Sequence, residues 1–189
     1  MSVRAAGLIE RSVIRGADSP SQSRALVTAD SVVVGGNSAS TSIAVDVLAD
    51  GLVVFENNIV VGGQTTRTSD GIIMQGNARV RLRHNLVIAG RAASEQSNAL
   101  RMFANPEREI ANNIFVGSAE ANAQCVDASQ PVVLFANSAF SRCATLWQFG
   151  ATPLVAIADV NAIVDPNAGS PRITVDNGRQ RGRRRRLRR

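Results

Sequence analysis

Self-similarity at a nearly constant period is the feature that most constrains the fold of this chain. The repeated unit is a polar pair, with Asn in most copies, followed by a short apolar run: Asp30–Gly35, Asn57–Gly62, His84–Ile88, Asn112–Gly117 and Asn137–Phe140. The second residue of the pair moves by 27, 27, 28 and 25 positions between copies, and a shorter echo at Arg11–Gly16 precedes them by 19. Such periods with strand-like content are typical of a solenoid, in which each coil buries its apolar face against its neighbours.

Alternation within each repeat predicts strands. Apolar residues recur in three inward columns, with Arg108 as the exception: Phe55, Leu82, Ile110 and Phe135; Val53, Val80 and Val133; and Val45, Ile72, Leu100 and Val126. Period-two alternation is the strand pattern, and no long stretch carries the i, i+3, i+4 spacing of a helix. The sequence therefore predicts an all-β fold, a single-stranded right-handed parallel β-helix of about five coils.

Charge divides the chain into regions. We predict a parallel β-helix over 1–150, a closing segment over 151–178 and an Arg-rich tail over 179–189. The tail holds eight of the 21 Arg residues, whereas residues 1–178 hold 13 Arg against 15 Asp plus Glu. Residues 1–178 are therefore slightly acidic, although the whole chain has a net charge of +6. A globally basic nucleic-acid-coating domain is not indicated. We expect the tail to be disordered and to bind polyanions non-specifically.

Cysteine usage and hydropathy give expectations about compartment. Cys125 and Cys143 are too few for a disulfide framework. The sequence favours two free buried thiols and leaves a bond between them as the alternative. No apolar run approaches the roughly 20 residues that cross a bilayer, so no membrane span is predicted. Met1–Gly16 lacks the continuous apolar stretch of a signal peptide, which by itself predicts a cytoplasmic chain.

The repeated polar pair predicts a structural ladder. Asparagine tolerates the left-handed conformation, and its amide can bond to an identical amide on the next coil. The ladder candidates are the second residues Asn58, Asn85 and Asn113, and the first-residue column Asn57, His84, Asn112 and Asn137. With one His and two Cys in the chain, neither a Ser-His-Asp arrangement nor a zinc site is predicted.

The outward row of a second strand carries the candidate binding residues. It reads Asp46, Ile73, Arg101 and Asp127, with Leu48, Gln75, Phe103 and Ser129 two positions on. We select as carbohydrate-binding candidates Asp46, Gln75, Arg101, Phe103 and Asp127. Asp46 and Asp127 lie three coils apart, about 14 Å at strand spacing, too far for a shared calcium ion or a glycosidase pair. Arg101 beside Asp127 is interpreted as an exposed ion pair, and Asp70, in a predicted loop, could approach the face. No metal or cofactor is predicted.

The Asn-Asn-Ile-Val and Asn-Asn-Ile-Phe corners followed by Gly resemble a known family. They are similar to the pectate-lyase-like right-handed parallel β-helix repeats of bacterial surface and secreted proteins, over roughly residues 7–150. Asp165–Pro171 looks like the segment that closes many such domains, but Arg172–Gly178 departs from that pattern. The resemblance implies a truncated member and an extracellular or cell-surface location. In pectate lyases the corresponding face carries calcium and a proton-abstracting Arg, so calcium is expected only if this chain is a lyase.

Such folds host lyases, hydrolases, adhesins and inert stalks, so the repeat indicates the fold more than the function. Our first hypothesis is a non-enzymatic, monomeric surface or structural module whose flat face binds glycans weakly or mediates adhesion. One alternative is a lyase or hydrolase of acidic polysaccharide, or its decayed remnant. Polyanion binding through the tail and a non-functional reading frame are further alternatives.

Overall fold

Short strands and one helix make up the part of the chain that the structure, a computed structural model, describes: residues 13–15, 22–25, 30–48, 52–75, 79–103, 108–128, 134–163 and 174–175. The elements are β1 (Val13–Arg15), β2 (Gln22–Ala25), β3 (Val32–Val34), β4 (Thr41–Leu48), β5 (Leu52–Glu56), β6 (Ile59–Val61), β7 (Gln64–Thr65), β8 (Thr68–Gln75), β9 (Arg79–Arg83), β10 (Leu86–Ile88), β11 (Arg91–Ala92), β12 (Ser97–Met102), β13 (Arg108–Ala111), β14 (Ile114–Val116), β15 (Ala123–Ala128), β16 (Leu134–Ala136), β17 (Ala139–Ser141), β18 (Thr145–Phe149), β19 (Thr152–Leu154), α1 (Ile157–Ile163) and β20 (Thr174–Val175). Some of the predicted features lie outside the described residues: the tail 179–189, the motif Asp165–Pro171, Ser129 and Val133.

Three large sheets and one small parallel pair, β7 with β11, contain the strands of the described part of the chain. Sheet 1 runs β2-β4-β8-β12-β15-β18, sheet 2 runs β5-β9-β13-β16, and sheet 3 runs β1-β3-β6-β10-β14-β17-β20. Successive strands visit the sheets in turn, so that β4, β5 and β6 are followed by β8, β9 and β10 in the same order. Apart from β19, the strands pair in parallel with counterparts in the neighbouring coil, as in β9 with β13. The chain is therefore a parallel β-solenoid, as the repeat predicts.

The number of turns is smaller than predicted. Sheet 2 contains four strands, and the chain makes about three complete turns between the first and the last of them. The prediction of about five coils is wrong because it counted every sequence copy as a full coil. In the described residues, the outermost copies contribute a strand to one or two sheets only, since a terminal repeat has a neighbour on one side alone.

The solenoid ends on a different arrangement. Strand β19 pairs with β18 in antiparallel orientation, and α1 follows with Val160 buried against the core. An antiparallel strand cannot continue a parallel coil, so the stack of sheet 1 stops at this hairpin. No helix within the described ranges is long and apolar enough to cross a membrane.

The inward columns form the core. The fully buried members include those predicted from the alternation, namely Phe55, Leu82, Ile110, Phe135, Val45, Ile72, Leu100 and Val126. Phe115, Phe135 and Phe140 stack with ring centroids about 6 Å apart. Arg108, which the sequence set apart from this column, is buried as well, and its Nη2 donates to the Phe103 carbonyl at 3.1 Å. Burial lowers the pKa of Arg108.

The second residues of the polar pairs form a buried amide ladder. Asn58 Nδ2 donates to Asn85 Oδ1 at 3.0 Å, and Asn85 Nδ2 donates to Asn113 Oδ1 at 3.0 Å. The same oxygens accept main-chain N–H groups of the preceding coil, at 2.9 and 3.0 Å. Serines continue the column at both ends, since the Ser31 N–H donates to Asn58 Oδ1 and the Asn113 N–H donates to Ser138 Oγ. Each ladder side chain thus fixes the register of two adjacent coils.

The first residues of the pairs have a different role. They are exposed and carry positive φ angles: Asp30 (45°), Asn57 (57°), His84 (56°), Asn112 (57°) and Asn137 (48°). The left-handed conformation that asparagine tolerates therefore occurs at the first residue of each pair and not at the buried second residue. The ladder candidates of this column turn the chain at the corner instead of stacking with the buried amides: Asn57, His84, Asn112 and Asn137. Asn, Asp and His adopt this backbone region more often than other non-glycine residues.

Cys125 and Cys143 form a disulfide with Cα atoms 5.6 Å apart. This corrects the favoured interpretation of two free thiols. The sequence could not decide the pairing, because the two residues come together only when β15 and the turn before β18 occupy neighbouring coils. The bond joins β15 to the turn before β18 and closes a loop with a sequence separation of 18.

Candidate carbohydrate-binding face

The outward surface of sheet 1 brings the candidate residues together. Asp46 lies opposite Ile73, Ile73 opposite Arg101, and Arg101 opposite Asp127 in the parallel register. Gln148 of β18 continues the row beyond Asp127. On both sides of this row the strands bury apolar side chains in the core. Strand alternation therefore places the polar groups on one surface at a spacing of about 4.8 Å.

Arg101 is the centre of the face. Its Nε donates to Asp127 Oδ2 at 2.9 Å, and its Nη2 donates to Gln96 Oε1 at 2.5 Å. Nη1 lies 3.8 Å from Asp70 Oδ2. The side chains of Arg101 and Asp127 are each 20% exposed, so the pair is largely buried rather than the exposed ion pair expected from sequence. Three neighbours on three chain segments hold the guanidinium in one orientation.

Phe103 is a large, exposed apolar side chain beside Arg101. It is 47% exposed, and its ring centroid lies 5.0 Å from Arg101 Cζ, a cation–π contact. Its N–H donates to the Met74 carbonyl, and its carbonyl accepts from Arg108. The ring is thus anchored at its backbone and against Arg101 while about half of its surface remains open to solvent.

Asp46 and Gln75 form the opposite end of the face. Gln75 Nε2 donates to Asp46 Oδ1 at 2.8 Å, across β4 and β8. Ile73, between Asp46 and Arg101 in the row, is only 5% exposed. The face therefore has two polar groups separated by a covered apolar residue.

Asp70 is the residue that sequence reasoning misplaced. It lies in β8 and not in a loop, it is fully buried, and its Oδ1 accepts from Asn98 Nδ2 at 2.7 Å. Burial raises the pKa of Asp70 to about 6, against the opposing effects of Arg101 and Asn98; Asp127 and Asp46 add to the rise. The register of the repeats carried a signal for the strand position of Asp70. It places three polar residues in one column on consecutive coils: Asp70, Asn98 and Gln124.

Several acceptors in that column lack donors. Within the described part of the chain, Asp70 Oδ2, Asn98 Oδ1 and Gln124 Oε1 are buried and accept no hydrogen bond. A buried acceptor without a donor costs about 1–3 kcal/mol. Such groups are rare in folded proteins.

Metal ligands do not converge on this face in the described residues. No group of three or more His, Cys, Asp or Glu side chains there is placed to hold a metal ion. Asp46 and Asp127 are separated in sheet 1 by the two intervening strands β8 and β12. His84 lies at a corner between sheets 2 and 3 and does not join the face.

Asp70 is expected to make the fold less stable as the pH rises. Below its ordinary pKa of 3.8 the carboxyl is neutral in the folded and unfolded states, whereas above about 6 it is charged in both and the burial cost is complete. Linkage gives a loss of about 3 kcal/mol across this window. Urea unfolding at a series of pH values should give a free energy of unfolding that changes less with pH for Asp70→Asn than for the parent. Parallel profiles would contradict the assignment.

Comparison with known proteins gives no identity for the chain. It matches no family model, no curated protein and no solved structure. The likeness to pectate-lyase-like repeats therefore remains an inference from the corner motifs.

Proposed function

We propose that this chain is a non-enzymatic surface or structural module that binds glycans weakly through the outward face of sheet 1. The observation that carries the proposal is the half-exposed Phe103 ring beside the oriented Arg101–Asp127 pair. Sugar rings present C–H groups that pack on an aromatic face and hydroxyl groups that bond to carboxylates and guanidinium. Both kinds of partner lie side by side here.

Rigidity supports this proposal. Arg101, Asp127, Asp46 and Gln75 belong to strands that pair with neighbours on both sides, and each already has a side-chain partner. Binding would therefore order few side chains, which lowers its entropic cost. The surface is a sheet face with partners spread along it, so affinity should be modest and suited to a repeated or extended ligand.

Handedness and location belong to the same proposal. We take the solenoid to be right-handed, because crossovers between parallel strands of one sheet are right-handed in nearly all proteins. The Cys125–Cys143 bond supports an oxidising compartment, since disulfides persist mainly in secreted and surface proteins. Together with the corner motifs, this favours an extracellular or cell-surface location.

Phe103→Ala should weaken glycan binding by about tenfold, because it removes the exposed aromatic surface and the contact that orients Arg101. The measurement is a titration against the best ligand from a panel of neutral, cationic and anionic oligosaccharides. Ile114→Ala is the matched control, since Ile114 is 48% exposed but lies on sheet 3. Equal losses in both variants would contradict a site on sheet 1.

A second candidate is cleavage of acidic polysaccharide. It is favoured by the raised pKa of Asp70, which lets a carboxyl hold a proton near neutral pH as a general acid must. Against it, Asp70 is fully enclosed, and each terminal nitrogen and Nε of Arg101 already faces Asp127, Gln96 or Asp70.

We expect no unsaturated or hydrolysed product from polygalacturonate, with or without calcium. Product can be followed by ultraviolet absorbance and by reducing-end release. Turnover by the parent that disappears in Arg101→Ala would place cleavage ahead of simple binding.

A further inference from the structure

Asp70 and Asn98 form an incomplete hydrogen-bonded pair in sheet 1. They lie opposite each other on β8 and β12, and both are fully buried. Asn98 Nδ2 donates to Asp70 Oδ1 at 2.7 Å. The other oxygen of each side chain, Asp70 Oδ2 and Asn98 Oδ1, has no hydrogen bond within the described residues. Two adjacent buried side chains therefore each keep an acceptor without a donor.

A single proton would satisfy both acceptors. A primary amide has one N–H side and one oxygen, whereas a carboxylate has oxygens alone. A protonated carboxyl regains a donor, so a carboxyl and an amide can form two hydrogen bonds with each other. The first bond, from Asn98 to Asp70, is already in place. Protonation of Asp70 Oδ2 would supply the second, to Asn98 Oδ1, and would remove a buried charge.

The charged groups that face Asp70 do not hold it ionised. Arg101 Nη1 lies 3.8 Å from Asp70 Oδ2, beyond hydrogen-bond distance, while Nε and Nη2 donate to Asp127 and Gln96. Asp127 on β15 and Asp46 on β4 repel a negative charge on Asp70. Burial is the largest effect and raises the pKa of Asp70 to about 6. The carboxyl therefore exchanges its proton between mildly acidic and neutral pH.

Ionisation of Asp70 would change the contacts of Arg101. Opposite charges attract more strongly in a buried site than in water, because little solvent screens them. The guanidinium has to move by only about 1 Å for Nη1 to donate to Asp70 Oδ2. Such a move alters its bond with Asp127 and its contact with the Phe103 ring, whose centroid lies 5.0 Å from Cζ.

We propose that Asp70 and Asn98 form a proton-operated switch that sets the position of Arg101 on the outward face of sheet 1. In the protonated state, Asp70 Oδ2 donates to Asn98 Oδ1, and Arg101 stays with Asp127 and Gln96. As the pH rises, the proton passes to water and the charged Oδ2 draws the guanidinium inward. The switch depends on these side chains alone and does not require glycan binding.

The test follows the full chain by nuclear magnetic resonance from about pH 4.5 to about pH 8. The carboxyl carbon of Asp70 is expected to titrate with a midpoint of about 6, and the Nε–H signal of Arg101 should move with the same midpoint. A midpoint near the ordinary value of 3.8, or an Arg101 signal that does not follow Asp70, would overturn the switch. This titration of the parent needs no variant, so it decides the question even if a variant fails to fold.

Asp70→Asn and Asp70→Leu test the bond to Asn98. Asparagine cannot ionise but can donate to Asn98 Oδ1, so it should hold the Arg101 signal at its low-pH position throughout. Leucine is similar in size and offers no donor. At about pH 8, Asp70→Asn should therefore unfold at a higher urea concentration than Asp70→Leu. Equal urea midpoints, or an Arg101 signal that still moves in Asp70→Asn, would contradict the pairing.

His84→Asn is the matched control. His84 is the only histidine of the chain, and histidine ordinarily titrates in the same pH range. It lies at an exposed corner away from sheet 1, where Asn occupies the equivalent positions of other coils with the same positive φ. The Arg101 signal should move in this variant as it does in the parent. Loss of that movement would assign the pH dependence to His84 and overturn the switch at Asp70.

Discussion

Asn85→Leu is expected to lower the free energy of unfolding by about 4 kcal/mol, since it strands several buried polar groups at once. Asn85 Oδ1 accepts from the N–H and the Nδ2 of Asn58, and its own Nδ2 donates to Asn113 Oδ1 and to the Phe55 carbonyl. Leucine has similar size but offers neither donor nor acceptor. The loss therefore falls on two neighbouring coils, and chemical denaturation followed by circular dichroism would measure it.

Arg67→Leu is the control for this experiment. Its side chain is 61% exposed and pairs with Glu95, an ion pair of the kind worth about 0–1 kcal/mol at a surface. If Arg67→Leu and Asn85→Leu unfold at the same denaturant concentration, the amide ladder does not stabilise the stack of coils.

Removing the disulfide through a Cys125→Ala and Cys143→Ala double variant is expected to cost about 3 kcal/mol. In the chain-entropy account, a cross-link over this separation of 18 residues restricts the unfolded chain by roughly that amount. The region affected first should be the last coil, where β15, β18 and the hairpin with β19 meet. Hydrogen exchange would locate the loss, and denaturant unfolding would give its size.

The reducing agent supplies the internal control. Reductant should lower the stability of the parent to that of the double variant and leave the variant itself unchanged. A parent that is insensitive to reductant, or whose mass shows two free thiols after oxidation in air, would contradict a bond between Cys125 and Cys143.

Much of the architecture could be predicted because the repeat reports it directly. Within the described residues, the inward columns and the outward row Asp46, Ile73, Arg101 and Asp127 were correct in register, since a strand alternates its side chains with a period of two. The exclusion of Arg108 from its inward column was wrong, because the side chain is buried there. A one-residue error would have exposed the whole apolar set, so the pattern had only one consistent solution. The number of complete turns was wrong because terminal copies contribute strands without closing a coil.

The wrong placement of Asp70 in a loop has a physical cause. Asp70 was assigned to a loop because the residues before Ile72 lack a simple alternating pattern, yet β8 begins at Thr68. Ala44, Gly71 and Ala99 lie within the strands directly after the column that contains Asp70, and Ala44 and Ala99 are fully buried like the residues that follow them. Strict alternation fails there, so burial of Asp70 could not be read from the pattern.

The sequence by itself determined that this protein is a parallel β-solenoid, which residues face its core and which polar row faces outward. These follow from periodicities of two and of about 27, both visible in one dimension. Only the tertiary structure decided the Cys125–Cys143 pairing, the burial of Asp70 and the three-sided coordination of Arg101. Those depend on distances between residues on different coils, which the spacing along the chain does not specify.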